Sequence, residues 1–341
     1  MKPHVLVARL DNAGDVLLAG PAIRAVAAGA HRVTMLCGPR GEAAARLLPG
    51  VDDVIVYDAP WVAFDPQPLD RGETLALVDE LCILGLDQAI IFTSFHQSPL
   101  PLAVLLRLAG VPFVAATSVD YPGSLLDVRH RISDDVHEVE RSLDLVETAG
   151  YMLPPGDDAA LAIKQTGERP PQLGDGPYVV VHPGTSVPAR AWAPEKYAAL
   201  VEALVDGSRR VVVTGGPDEK ELTARVAGPP RPEVLDAGGE TSLAGLAEIL
   251  AGADAVVVGN TGPAHLAAAV GTPVVSLFAP TVPAVRWRPW CVPHVLLYRD
   301  VPCAGCRARV CPVEGHPCLD GVTVDEVAAA VERLAPVGAA R

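Results

Sequence analysis

Residues 4–20 read HVLVARLDNAGDVLLAG, and this stretch predicts a strand, a polar loop and a helix in that order. Residues 4–9 are almost continuously apolar, as is typical of a short strand covered on both faces of a parallel sheet. A helix is expected over residues 15–28. Ligands of such sheets bind beyond the carboxyl ends of the strands, so the loop at residues 10–14 is a candidate site.

The same alternation of strands and helices continues along the chain. It is interrupted at residues 154–176, where the composition becomes rich in Pro and Gly, and then restarts. Alternating strands and helices predict an α/β fold with two doubly wound, Rossmann-like domains, and the Pro/Gly-rich stretch predicts a linker. The predicted domains span residues 1–165 and 176–320. A final helix is expected within residues 321–341, and it could pack back on the N-terminal domain.

Composition limits the classes of function. The net charge is −14, so a nucleic-acid partner bound through a broad basic surface is excluded. Every apolar run is shorter than the ~20 residues that a transmembrane helix needs. We expect a cytoplasmic protein without a transmembrane segment, while peripheral contact with a membrane stays open.

Three strand-to-helix loops carry the candidate chemistry. The first contains Gly14 and Asp15, and an Asp at the start of a helix is often only a cap. That loop lacks the G-x-G-x-x-G pattern, which is the main sequence evidence for binding of a nicotinamide or flavin cofactor. The second, HPGTSVPARAW at residues 182–192, combines small residues and hydroxyls with Arg190, a reasonable cradle for a diphosphate.

The third loop, GNTGPAH at residues 259–265, follows an apolar strand and has Pro263 near the first helical turn. The amides of residues 260–262 are therefore expected to face an anion at the helix N-terminus. His265 should lie one turn into the helix.

Together these loops resemble the heptosyltransferases of glycosyltransferase family 9. The resemblance rests on Gly14-Asp15-Val16, on HPGTS with the RAWAP of residues 190–194, and on NTGPAHLAAA at residues 260–269. It covers nearly the whole chain. It implies the GT-B fold, in which two Rossmann-like domains face each other across a cleft.

The resemblance also implies an inverting transfer from a nucleotide-sugar donor, ADP-heptose above all, with no obligatory cofactor or metal. The donor is held by the C-terminal domain. The acceptor, held by the N-terminal domain, is a saccharide, a glycolipid or a small-molecule glycoside. Asp15 resembles the general base, and Asn260 stands where many relatives carry Asp. The remaining donor-site residues are Thr185, Ser186, Thr261 and Gly262 for the diphosphate, Arg190 where relatives often have Lys, His265, Glu219 for the ribose, and Thr241 beside the adenine.

Two features leave alternatives open. Cys303, Cys306, Cys311 and Cys318 have zinc-like spacing in the first pair only, so a structural metal stays a minor hypothesis. The stretch YPGSLLDVRHR at residues 121–131 brings three basic groups together, which could meet an acidic acceptor or simply be solvated. A sugar-nucleotide 2-epimerase of the same fold and a non-catalytic nucleotide-sugar binding protein are the rival functions.

Overall fold

A computed structural model describes residues 2–63, 66–165, 167 and 170–338. The chain separates into two compact units, Met1–Lys164 and Gln165–Arg341. Parts of two predicted regions lie outside the described residues, namely Thr166, Glu168 and Arg169 of the linker and residues 339–341 at the end of the C-terminal region.

The first unit is built on a parallel sheet with the strand order β3-β2-β1-β4-β5-β6. Its strands are β1 (His4–Arg9), β2 (Arg32–Cys37), β3 (Asp53–Val56), β4 (Gln88–Ile91), β5 (Phe113–Thr117) and β6 (Val128–His130). Its helices are α1 (Ala13–Leu18), α2 (Gly20–Gly29), α3 (Glu42–Leu47), α4 (Arg71–Ile83), α5 (Leu100–Leu108) and α6 (Glu138–Thr148).

The second unit repeats the arrangement, with the strand order β12-β11-β10-β7-β8-β9 and parallel pairing throughout the described strands. Its strands are β7 (Val179–His182), β8 (Val211–Val213), β9 (Val234–Asp236), β10 (Ala255–Gly259), β11 (Val274–Leu277) and β12 (His294–Leu297). Its helices are α7 (Pro194–Asp206), α8 (Lys220–Ala227), α9 (Leu243–Ala251), α10 (Gly262–Ala269), α11 (Ala284–Trp287), α12 (Pro317–Asp320) and α13 (Val324–Leu334).

Each sheet reverses its winding direction at one point, between β1 and β4 in the first unit and between β7 and β10 in the second. Ligands of doubly wound sheets bind at such a point, beyond the carboxyl ends of the two strands. The loops that follow these four strands include the three loops that the sequence singles out. The α/β class and the two Rossmann-like units are therefore confirmed.

The helix predicted over residues 15–28 is in fact two helices, α1 and α2, which meet at Ala19. Pro21 lies in the first turn of α2. A proline has no amide hydrogen to continue the ladder of α1, so the break follows from the sequence.

The C-terminal helix α13 starts at a capping box in which Thr323 accepts a hydrogen bond from the Glu326 amide. Its apolar face, which contains Val327 and Val331, is part of the hydrophobic core of the second unit. The apolar side chains of this helix are thus packed within its own unit, and its packing on the N-terminal domain stays a prediction. None of the described helices is both long and apolar enough to cross a membrane.

Candidate functional site

The loop after β7 carries the first predicted donor-site residues. Thr185 is half-buried, and its hydroxyl lies 3.3 Å from the amide of Val187 and 3.4 Å from the carbonyl of the same residue. Ser186 is exposed. Thr185 thus stabilises the local turn, while the Ser186 hydroxyl is presented to solvent at the carboxyl end of the strand.

Glu219 packs against the same loop. Its Oε2 accepts a hydrogen bond of 2.7 Å from the amide of Gly216, and a Cβ atom at Gly184 would overlap its carboxylate. Only a glycine at position 184 allows this close approach. The structure therefore places the predicted ribose-binding carboxylate directly beside the loop that holds the predicted diphosphate ligands.

The loop after β10 holds polar atoms that the described residues do not satisfy. Asn260 Oδ1 and Thr261 Oγ1 are both buried and have no hydrogen-bond partner among the described residues. Buried polar atoms are normally hydrogen-bonded, so these two oxygens are suited to a ligand or to ordered water. The amide of Thr261 donates to the carbonyl of Gly259 at 2.9 Å, so this amide already has a partner within the loop.

The first turn of α10 contains the last two predicted residues of this loop. Gly262 is the first residue of the helix and is half-buried, and His265 is buried with 5% of its surface exposed. A helix N-terminus carries a partial positive charge, which favours an anion there.

Arg190 connects the two donor loops. It follows β7 in the chain, yet its Nη1 donates to the carbonyl of Asn260 in a long hydrogen bond of 3.4 Å, and its Nε donates to Thr281 Oγ1 at 3.4 Å. A Cβ atom at Gly259 would lie 3.3 Å from the carbonyl oxygen of Arg190, so the backbones also approach closely. A permanent cation therefore lies where the loops after β7, β10 and β11 meet.

Thr241 lies in the loop after β9, half-buried and immediately before Ser242, which caps α9 by accepting from the Gly245 amide. The loops after four neighbouring strands, β7 to β10, thus each supply one or more of the predicted donor residues. All of these loops lie at the carboxyl edge of the second sheet.

His182, the last residue of β7, belongs to the predicted donor loop but was given no role of its own. Its Nδ1 lies 2.9 Å from Thr214 Oγ1, and the residue is buried. Burial lowers the pKa of His182 to about 4, although the nearby Glu219 carboxylate acts in the opposite direction. His182 is therefore neutral at pH 7 and holds the ends of β7 and β8 together beneath the donor loops.

A cavity of about 680 Å³ lies at the other edge of the second sheet, where Tyr178, Arg210, Asp254 and Pro273 precede or begin their strands. Arg210 donates there to the backbone carbonyls of Leu173 and Asp175. The predicted donor residues lie at the opposite edge, so size alone does not identify the chemical site in this unit.

Residues 303–318, the cysteine segment, contact the donor loops through their backbone. The amide of Ala189 donates to the Arg309 carbonyl at 2.9 Å, and the amide of Arg307 donates to the Thr281 carbonyl at 2.9 Å. Nε2 of His316 lies 3.0 Å from the carbonyl oxygen of Ala189. Ala189, which precedes Arg190 in the chain, and Thr281, which accepts from its guanidinium, are thus both tied to the segment.

The four cysteines of the segment line one small cavity, together with Ala189, Thr281 and His316. Burial, and then the neighbouring thiols of Cys311, Cys303 and Cys306, raise the pKa of Cys318. Among the described residues, no group of three or more His, Cys, Asp or Glu side chains is arranged to hold a metal ion. Cys318 is buried, Cys303 and Cys311 are half-buried and Cys306 is exposed, and the structural-metal hypothesis stays untested.

In the first unit, Asp15 belongs to a buried charge network. It is the third residue of α1, not the N-cap residue, and its Oδ1 accepts a hydrogen bond of 3.1 Å from Arg9. The Asp15 side chain is 18% exposed, whereas Arg9 is 2% exposed. Arg9 also contacts Asp11 at 2.7 Å and Glu138 at 3.6 Å. Although burial disfavours the charged guanidinium, these three carboxylates raise the pKa of Arg9.

Asp11, Ser94 and Gln97 complete this network and were not singled out from the sequence. Arg9 donates to Ser94 Oγ at 2.9 Å, and Gln97 Nε2 donates to Asp11 Oδ1 at 2.5 Å. Burial raises the pKa of Asp11, and the charge of Asp15 adds to this effect. The loops after β1 and β4 therefore form one polar cluster at the switch point of the first sheet.

The basic groups of residues 121–131 do not form a free patch. Arg129 donates to the carbonyls of Ser118 and Val119, and buried His130 lies 2.8 Å from Thr117 Oγ1 and 2.6 Å from the Asp144 carboxylate. Arg129 and His130 are thus held by neighbouring groups of the protein, whereas Arg131 is exposed, and the meeting of this stretch with an acidic acceptor stays a prediction.

Two Rossmann-like units with ligand loops at their switch points define a protein of the GT-B fold. The family model of glycosyltransferase family 9 (heptosyltransferase) matches residues 94–316, which include both donor loops and lie after Asp15. The chain belongs to this family.

Relatives of known identity support the same grouping. Lipopolysaccharide heptosyltransferase 1 of Pseudomonas aeruginosa is 35% identical over 179 residues, covering 51% of this chain and 48% of that protein. Lipopolysaccharide heptosyltransferase 3 of Escherichia coli is 31% identical over 166 residues, covering 47% of each. The chain spans about half the length of the curated relatives that it matches.

Solved structures share the fold over almost the whole chain. A family 9 glycosyltransferase from Veillonella parvula has a TM-score of 0.75 at 18% identity, covering 98% of both chains. The Escherichia coli heptosyltransferase WaaC with ADP has a TM-score of 0.72 at 22% identity, covering 97% of this chain and all of that one.

Proposed function

We propose that the protein is an inverting glycosyltransferase that moves a sugar, most readily a heptose from ADP-heptose, to an acceptor hydroxyl. Family membership supports the glycosyl transfer. WaaC has been solved with ADP and with ADP-2-deoxy-2-fluoro heptose, which supports an ADP-sugar for this chain.

One observation carries the donor assignment, namely the position of Arg190 between the loops after β7 and β10. A guanidinium at this point attracts the negative charge of a diphosphate, and its fork of donors matches phosphate oxygens. The N-terminus of α10, the exposed Ser186 hydroxyl and the unsatisfied Thr261 Oγ1 add donors around the same place.

Asp15 serves as the general base in this proposal. In the reaction, the acceptor oxygen forms a bond to C1 of the sugar, and the bond between C1 and the diphosphate oxygen breaks. The electron pair leaves with the nucleoside diphosphate, and the acceptor proton passes to the Asp15 carboxylate. Arg9 orients this carboxylate from its buried side, and 18% of the Asp15 side chain is exposed.

The developing negative charge on the leaving diphosphate is stabilised by Arg190 and the N-terminus of α10, so no metal is needed to neutralise it. Glu219 would receive the ribose hydroxyls, and Thr241 would lie beside the base. His265, buried in the first turn of α10, would shape the inner wall of the sugar site.

Asp15→Asn tests the assignment of the base. We expect transfer, measured as acceptor-dependent ADP release, to fall by about 100-fold or more, while the donor affinity measured by calorimetry stays within about twofold. Asp53→Asn is the matched control, because Asp53 is an exposed carboxylate paired with Arg32 at the amino end of β3. Full activity of the Asp15 variant would refute the base assignment.

Arg190→Ala tests the donor site independently. A thermal-shift panel of ADP, UDP, GDP and their sugars first identifies the preferred base, and calorimetry with that ligand then compares the variants. We expect the affinity to fall by about tenfold or more, since a charge-assisted contact to the diphosphate is lost. Arg225→Ala, which removes an exposed ion pair between Arg225 on α8 and Glu195 on α7, is the control. Unchanged affinity of Arg190→Ala would exclude this site.

The same experiments separate the rival functions. A non-catalytic binding protein would bind the donor without releasing ADP in the presence of any acceptor. A 2-epimerase would convert the sugar of the donor without an acceptor, and the donor loops do not supply the set of carboxylates that such chemistry uses.

A further inference from the structure

The cysteine segment begins with a C-x-x-C stretch at residues 303–306, and both of its thiols are free. Cys306 is exposed and Cys303 is half-buried. Residues 302–305 form a turn, in which Gly305 has a left-handed φ of 78°. A tight turn with a glycine in this conformation brings the residues on either side of it close together, as a disulfide requires. The stretch therefore has the spacing and the turn of a thiol pair that can close into a disulfide.

The other two thiols of the segment are in different surroundings. Cys311 donates a hydrogen bond to the carbonyl of Val313, with 3.5 Å between sulfur and oxygen. Cys318 is buried, and burial, followed by the neighbouring thiols, raises its pKa. A thiol that keeps its proton is a poor nucleophile. Cys306, the exposed thiol of the four, is thus the one that an oxidant reaches first.

Cys306 lies between two backbone hydrogen bonds that hold the loop after β11. The amide of Gly305 donates to the carbonyl of Pro280 at 2.7 Å, and the amide of Arg307 donates to the carbonyl of Thr281 at 2.9 Å. Arg307 has a φ of 54°, which is unfavourable for a residue with a side chain. The backbone on both sides of Cys306 is therefore held by its contacts with this loop.

Thr281 connects this turn to the predicted donor site. Its Oγ1 accepts a hydrogen bond from Nε of Arg190 at 3.4 Å. Thr281, Cys303 and Cys306 also line the same small cavity. Closing a disulfide moves the two sulfur atoms towards each other, so the packing of this cavity and the backbone beside Cys306 must adjust. Oxidation of the pair is therefore expected to displace Thr281 and with it the guanidinium of Arg190.

We propose that Cys303 and Cys306 form a reversible oxidation site whose oxidant is a low-molecular-weight disulfide, and that closing this pair weakens donor binding. The first part depends on the turn and on the exposed thiol. The second part rests on the proposed function, because it takes Arg190 as the cation that binds the donor diphosphate.

The reaction consists of two thiol–disulfide exchanges. The Cys306 sulfur attacks one sulfur of glutathione disulfide, the bond between the two glutathione sulfurs breaks, and one glutathione leaves with the proton of Cys306. The Cys303 sulfur then attacks Cys306 in this mixed disulfide, and the second glutathione leaves with the proton of Cys303. Two cysteine thiols are thus oxidised to one disulfide, and one glutathione disulfide is reduced to two glutathione molecules.

The oxidation site is tested by treating the full chain with excess glutathione disulfide and mapping its cysteines by mass spectrometry. The tryptic peptide of residues 300–307 contains both thiols of the pair, so closure lowers the mass of this peptide by two hydrogen atoms. We expect this change, and we expect dithiothreitol to reverse it. Cys306→Ser should abolish the change. Cys82→Ser, which removes an exposed thiol on α4 of the first unit, is the matched control and should leave the change intact.

Calorimetry with ADP then compares the reduced and the oxidised protein. We expect the affinity to fall by about 3- to 10-fold on oxidation and to recover on reduction, because hydrogen bonds that position the donor-site cation are disturbed. Cys306→Ser should bind ADP equally well before and after the treatment, whereas Cys82→Ser should respond as the wild type does.

A disulfide that maps to Cys311 or Cys318, or a pair that stays reduced in excess oxidant, overturns the oxidation site. Stoichiometric zinc or iron in the purified protein, measured by elemental analysis, also overturns it, because the thiols would then be metal ligands. Equal ADP affinities of the reduced and oxidised proteins overturn the link to the donor. If the reduced protein does not bind ADP, the proposed function fails, while the mapped disulfide still decides the oxidation site.

Discussion

Nε2 of His316 lies 3.0 Å from the carbonyl oxygen of Ala189, the residue immediately before Arg190. His316 lies 127 residues further along the chain and adopts a left-handed backbone conformation, with φ at 44°. Such a conformation is unfavourable for a residue with a side chain, so the surrounding contacts must hold it. The cysteine segment therefore fixes the backbone from which the donor-site cation projects.

His316→Ala should weaken donor binding through the position of Arg190. We expect the donor KM to rise by about 3- to 10-fold with little change in kcat, because a hydrogen bond of about 1 kcal/mol is lost from a group that does not touch the reacting atoms. Steady-state kinetics at saturating acceptor measures this. His294→Ala, whose Nδ1 lies 2.9 Å from the nearby carbonyl of Val292, serves as the control. Equal donor KM values in the two variants would contradict the positioning role.

Arg9→Met should destabilise the first unit strongly. The substitution leaves Asp11, Asp15 and Glu138 close together without their shared cation, and removal of one partner from a buried ion pair typically costs about 3–5 kcal/mol. Urea unfolding at pH 7 measures the loss. Arg9→Lys keeps the positive charge but lacks the planar set of N–H donors of a guanidinium. It should therefore be less destabilising than Arg9→Met and still impair transfer. A variant Arg9→Met with wild-type stability would show that the network is not coupled as described.

The donor loops were predictable from sequence because each one is local: an apolar strand followed at once by small residues and hydroxyls, as in residues 179–186 and 255–262. The environment of Asp15 was not predictable from the sequence. Arg9 and Asp11 are near it in sequence, but Ser94 and Glu138 join the network from distant positions that only the strand order brings together. The strands β6, β9 and β12, which have three or four residues and lie at the sheet edges, were not predicted from the sequence.

The stability of the second unit should depend on pH through His182. Its pKa in the folded protein is about 4, below its ordinary value of 6.5, because burial disfavours the charged form. Between these values the unfolded chain binds the proton and the folded protein does not, so stability is complete above pH 6.5 and decreases as the pH falls towards 4. The loss is on the order of 1–3 kcal/mol.

Urea unfolding of the wild type and His182→Asn at pH 7.5, 6 and 5 measures this contribution. Asparagine keeps a polar partner for Thr214 but does not titrate, so the stability of the variant should change less between pH 7.5 and 5. Parallel pH profiles for the two proteins would rule out His182 as the source.

Gly184→Ala should act through Glu219. A Cβ atom at position 184 overlaps the Glu219 carboxylate, so that side chain must turn away from the loop after β7 and give up its hydrogen bond from the Gly216 amide. We expect the ADP affinity measured by calorimetry to fall by about 3- to 10-fold, by about as much as in Glu219→Ala, because both changes remove the same carboxylate from the ribose position. Gly216→Ala is the matched control, since a Cβ there makes only ordinary contact with Glu219 at 3.6 Å. The double variant decides the mechanism. If Glu219 transmits the effect, adding Gly184→Ala to Glu219→Ala should lower the ADP affinity little further. Additive losses of affinity would mean that the residue at position 184 acts on the loop directly.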